Sequence, residues 1–102
     1  MGEIADRVAR KLSREGMGKM FCMAGLGGRI SGILKTTESA QAILAIDGCP
    51  LSCVKANLEQ AGFKTFQHLQ LADLGLEKSK SPATEDNVNK VAAKAAEMIR
   101  CP

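Results

Sequence analysis

Apolar positions along the chain alternate between helical spacing and short runs with no polar residue at all. Ile4, Val8 and Leu12 recur every four residues, with Ala5 and Ala9 beside them. This predicts an amphipathic helix over residues 3–15. Glu3–Arg7, Asp6–Arg10 and Lys11–Glu15 stand one turn apart on its outer side, and Gly16 and Gly18 end it. Residues 19–24, KMFCMA, read as a short strand buried on both faces. Ile30, Ile33 and Leu34 then resume helix spacing. Residues 42–46, AILAI, have no polar position, as expected in the middle of a parallel sheet. A helix follows to about residue 61, stopped by Gly62. Pro50 suits its first turn, where a missing N–H costs nothing. Residues 66–71, FQHLQL, alternate and predict a strand with one wetter face. A loop rich in Lys and Ser leads to Thr84, which can cap a last helix through Arg100. The stripe of that helix is Val88, Val91, Ala95 and Met98 or Ile99.

The order is helix and strand in alternation, starting and ending on a helix. It implies an α/β fold: a small three-layer α/β/α domain with a mainly parallel sheet of about three strands and four helices. Residues 1–102 form a single domain, since neither a linker nor an internal repeat interrupts the pattern.

Composition narrows the function classes. Apolar residues make up 45% of the chain, yet there are three Phe and no Trp or Tyr, so the core is aliphatic. The same absence removes the stacking platform of single-stranded nucleic-acid binders. A net charge of +3 is too mild to mark a nucleic-acid or membrane surface. No run approaches about 18 apolar residues, so no transmembrane helix is predicted. The N-terminal helix is interrupted by acidic residues, unlike a signal or transit peptide. Met1-Gly2 opens as a myristoylation signal does, but the sixth position is Asp6. The expected location is cytoplasmic, where four cysteines favour metal binding or thiol chemistry over disulfides.

That chemistry centres on DGCPLSC, Asp47 to Cys53. Two thiols four residues apart stand at a strand-to-helix switch, where free amides and the helix dipole favour a thiolate. At about 100° per residue, Leu51, Val54, Leu58 and Ala61 form one stripe and Cys53 faces nearly opposite, with Asn57 and Gln60. Cys49 falls roughly above Cys53. Cys22, near the end of the preceding strand, would reach the same C-terminal sheet edge, where ligands collect. Cys22, Cys49 and Cys53 with a fourth N, S or water donor suit zinc, and such a set also holds iron–sulfur clusters. The implied partner is thus a metal ion. Cys101 reads as a buried filler. His68 has the options of a metal nitrogen, a general base or a half-exposed strand residue, and the last fits a lone His best. Asp47 can accept hydrogen bonds from its turn or from the helix start, or support a ligand.

Gly25, Gly27 and Gly28 sit between the predicted strand and helix, where backbone amides can cradle an anion. They lack both the dinucleotide fingerprint and the P-loop Lys-Ser/Thr, and turn geometry alone explains them. The alternative to metal binding is a thiol redox or transfer enzyme, with Cys49 attacking and Cys53 resolving. A hydrolase has no second cluster of acids, bases or nucleophiles to carry it.

DGCPLSC after an aliphatic strand, together with FCMAGLGG, GEIADRVARKL and HLQLADLGLEK, resembles the DGC family, named for its Asp-Gly-Cys tripeptide. The resemblance spans residues 2 to about 80. It implies a zinc site built from cysteines, at the matching positions Cys22, Cys49 and Cys53, without implying a particular activity. Similar family members begin with a further strand ending in a Cys-Ser-Gly-Cys-Ser type of motif. The expectation is therefore an N-terminally short chain, its start codon placed too far downstream. In that case the runs at 19–24 and 42–46 pair directly or leave an open edge, and the site lacks one or two thiolates.

Overall fold

In a computed structural model, the structure describes residues 2–48, 50–77 and 80–100. The expectations for Cys49 and Cys101 lie outside the described residues. Helices α1 (Gly2–Arg14) and α5 (Glu85–Arg100) follow the two strongest amphipathic patterns and pack on each other. Their stripes, Ile4, Val8 and Leu12 against Val88, Val91, Ala92 and Ala95, are buried. Outside, Asp6–Arg10 and Lys11–Glu15 close at 2.9 and 3.2 Å. Thr84 caps α5 as its position predicts, its Oγ1 accepting from Asn87 N–H at 3.2 Å.

Between these helices and the rest lie β1 (Leu44–Asp47) and β2 (Gln67–Gln70), paired in parallel with Leu44 opposite Gln67 and Asp47 opposite Gln70. Parallel neighbours need a long crossover, and α4 (Cys53–Gln60) lies within it. Side chains alternate across a strand. Leu44, Ile46 and Leu69 therefore join the α1/α5 cluster, while Ile43 and Ala45 meet Leu58, Val54 and Leu26 on the other side. Asp47, His68 and Gln70 belong to the Ala45 side by this register. After β2 the chain makes a 3-10 turn, Leu71–Leu74, whose first residue is fully buried.

The run at 19–24 corrects the sequence reading. Residues 19–22 are exposed and form no strand, and Met23–Gly27 is a short helix, α2, followed by α3 (Ser31–Glu38). Cys22 is the N-cap of α2, extended at φ −87° and ψ 103°, its Sγ accepting from Gly25 N–H at 3.2 Å. An apolar run this short carries no period that separates a strand from a helix. The glycines tip the balance. A Cβ at Gly25 would sit 2.7 Å from Ile33 Cγ1, and one at Gly27 would sit 3.0 Å from Asn57 Oδ1. Only glycine lets α2 approach α3 and α4 this closely. The fold is thus mixed helix and strand, broadly α/β. The described residues hold five α-helices and a two-stranded parallel sheet, instead of the four helices and three strands expected, and a three-layer stack is not established. The direct pairing expected between 19–24 and 42–46 is replaced by β1 with β2.

Candidate thiol site at the start of α4

Two of the three predicted thiols fall on described residues, Cys22 and Cys53, and both are free and exposed. Cys22 caps α2 and Cys53 is the first residue of α4. Because α2 packs on α4, the helices bearing these thiols are neighbours. Among the described residues, no three His, Cys, Asp or Glu side chains come together as a metal-binding group. The wheel places Cys53 correctly, away from buried Leu58. Leu51, assigned to the same stripe, is instead 77% exposed and precedes the helix.

Behind Cys53 lies a polar arrangement with Asp47 at its centre. Asp47 is the one buried charged residue among those described, at 3% exposure. Its Oδ1 accepts from Val54 N–H at 2.8 Å and its Oδ2 from Lys55 N–H at 3.2 Å. The carboxylate thus satisfies two of the four amides that every helix start leaves unpaired, and it sits at the positive end of the α4 dipole. Ser52, the residue in the N-cap position, makes no side-chain cap bond and holds the left-handed conformation at φ 55°. That conformation costs an L residue about 1 kcal/mol. Its hydroxyl accepts instead from Gln70 Nε2 at 3.0 Å. Asp47 thereby does from the strand what Ser52 would ordinarily do.

His68 completes the arrangement, its Nε2 lying 2.7 Å from Asp47 Oδ2. Since Asp47 is accepting two amide protons, Nε2 is the donor. Of the options open to Asp47 in the sequence, accepting from the helix start is the one it takes. Its actual partners are the helix start and His68. Ser52 and Gln70 were not picked out by sequence reasoning. The available signal was the spacing of His68 and Gln70, two residues apart on one face of β2.

In the glycine stretch, three amides have partners within the chain. Gly25 N–H is given to Cys22 Sγ, Leu26 N–H to Cys22 O and Gly28 N–H to Ala24 O. The amides of Val54 and Lys55 are equally committed, to Asp47. A surface cavity of about 330 Å³ lies at the opposite, N-terminal end of the strands, against Ile43, Phe63 and Thr65.

A strand, an Asp-Gly turn and a helix opened by a thiol define the class of domain to be compared. The DGC domain matches residues 1–95, and the chain belongs to the DGC domain family. It is similar to the anaerobic and virulence modulator AnvM of Pseudomonas aeruginosa, with 37% identity over 78 residues. That match covers 76% of this chain and 60% of the relative, so the chain spans less than two thirds of that protein. No solved structure matches the chain. Among the described residues, no helix is long and apolar enough to cross a membrane.

Proposed function

We propose that this chain is a metal-binding protein that takes zinc through the thiolates of Cys22, Cys49 and Cys53. The observation that carries the reading is the placement of two exposed thiols at the starts of two helices that pack on each other. Cys49 enters through its place in the Asp-Gly-Cys motif. The donor chemistry fits: thiolates are the ligands that select zinc or an iron–sulfur cluster over hard cations. Bound zinc would supply a redox-inert cross-link between these segments, with an N, S or water donor as its fourth ligand. Zinc is preferred to a cluster on that ground, because a cross-link suits a sensing or modulating role, in keeping with the name of the relative. The site would work as part of a single cytoplasmic domain in which the two apolar clusters flank the sheet as outer layers.

The thiol redox or transfer reading, with Cys49 attacking and Cys53 resolving, is weaker. Two of the four amides that could steady an attacking thiolate at this helix start are taken by Asp47. Metal analysis of freshly purified protein tests the proposal. Zinc near one equivalent per chain is expected, lost in Cys53→Ser and Cys22→Ser and protecting the thiols from alkylation until a chelator is added. Protein with no metal, which also takes up none on titration, would refute it.

A further inference from the structure

We propose that His68 and Gln70 are positioning residues for the thiol-bearing start of α4. Register carries the first step. Asp47 lies opposite Gln70 at the end of the paired region, and His68 lies opposite Ala45, two residues further back. The Asp47 carboxylate therefore stands between the His68 ring and the amides of Val54 and Lys55. His68 reaches the helix start through Asp47, and Cys53 is the residue immediately before the first amide so held.

Two polar residues of β2, His68 and Gln70, act on two successive points of the segment carrying the motif. His68 fixes the carboxylate that pins Val54 and Lys55, and Gln70 holds the Ser52 hydroxyl while Ser52 keeps its left-handed backbone. A non-glycine residue persists in that conformation only where its surroundings determine it. The apolar support here is thin, since Leu51 is exposed and Val54 only half-buried. The strand thus supplies by hydrogen bonds what packing does not supply. A buried carboxylate held by three donors keeps its oxygens fixed, which in turn fixes the backbone from which Cys53 projects. For the metal, this rests on the reading of the thiols given above.

Amide hydrogen exchange of the metal-free protein, with cobalt(II) titration beside it, tests the idea. In His68→Ala, the Val54 and Lys55 amides are expected to exchange roughly tenfold faster, while α5 amides keep their rates. His68→Gln should return them to within about twofold of wild type, because the Gln amide nitrogen reaches about as far as Nε2 and still donates. His68→Asn, which is too short, should not. Should His68→Ala fail to fold, the Gln and Asn pair decides alone. Unchanged exchange in His68→Ala, or no rescue by Gln, overturns the proposal. Cobalt affinity is expected to fall in His68→Ala and recover in His68→Gln, with the thiolate-to-cobalt absorption unchanged in shape in both. An altered band in His68→Gln would make His68 a ligand and overturn the positioning role. If wild type binds no cobalt, the metal reading fails while the exchange data still decide the positioning.

Discussion

The two sides of the sheet are built by different means. Against one side lie α1 and α5, with eleven buried residues, among those described, in a single aliphatic cluster that includes Ile4, Val8, Leu71 and Val91 at full burial. On the other lies α4, with α2 packed on it, and there the buried apolar cluster among the described residues is Leu26, Ala45 and Leu58. On that second side the missing apolar contact is replaced by Asp47, His68, Gln70 and the caps they make. Packing is non-directional, so it can anchor a helix without fixing how its first turn is presented. Hydrogen bonds with set partners fix direction. The thiols stand on the side where direction matters, and the other side holds the fold together.

The sharpest way to break this comparison is to remove equal amounts of side chain from each side. Ile4→Ala is expected to lower the unfolding free energy by roughly 2–5 kcal/mol, a large part of what a small domain has. Leu58→Ala removes a similar volume from a cluster with only two other buried members. It should fall near the lower end of the same range, because a thinly packed site collapses more readily around the loss. Urea unfolding followed by circular dichroism gives both values. Amide exchange at Val54 and Lys55 then separates them: Leu58→Ala should speed it well below the unfolding transition, and Ile4→Ala should leave it unchanged there. Equal effects on these amides would mean that the two sides are one cooperative unit.

A smaller change sharpens the role of glycine on the thinner side. Gly25→Ala puts a methyl group 2.7 Å from Ile33 Cγ1 and 3.2 Å from Cys22 Sγ. Expected destabilisation is about 1–3 kcal/mol, the usual range for overpacking. Adding Ile33→Ala, which removes the nearest obstacle, should recover at least half of it. Gly25→Ala with wild-type stability would show that α2 slides freely on α3. The expected loss and recovery would show that α2, and Cys22 with it, is held by shape.

These contrasts explain which parts of the molecule could be read from its residues. The helices α1 and α5 were legible because apolar stripes and exposed charges repeat over several turns, and packing then agrees with the pattern. Residues 42–46 and 66–71 were legible as strands for the corresponding reason, a run with no polar position and a clean alternation. The stretch at 19–24 misled because five apolar residues in a row carry no usable period. What decides it, the approach of Gly25 to Ile33 and the Cys22 cap, exists only once α2 and α3 are packed. Cys53 was placed correctly by helical geometry alone. The role of Asp47 was only partly visible, because its partners lie seven, eight and twenty-one residues away. A tripeptide names the position without showing whom it serves.

The smallest predicted effects concern ion pairs, and they locate where the thicker side depends on polar contacts at all. Arg7 of α1 gives one N–H to the Ala83 carbonyl and another to Glu85 Oε1 at 2.8 Å, tying α1 to the chain entering α5. Lys94 and Glu97, one turn apart on α5, approach only to 3.8 Å with both side chains well exposed. The Arg7 contact joins segments 78 residues apart and includes a carbonyl, whereas the Lys94 pair only decorates a helix that packing already holds. Arg7→Ala is therefore expected to cost about 1 kcal/mol, and Lys94→Ala less than about 0.5 kcal/mol. Raising the salt concentration should shrink the coupling between Arg7 and Glu85 measured in a double-mutant cycle, and leave the part due to the Ala83 carbonyl. If Arg7→Ala costs no more than Lys94→Ala, the α1/α5 side is held by apolar burial alone, and directed bonds matter only where the thiols are.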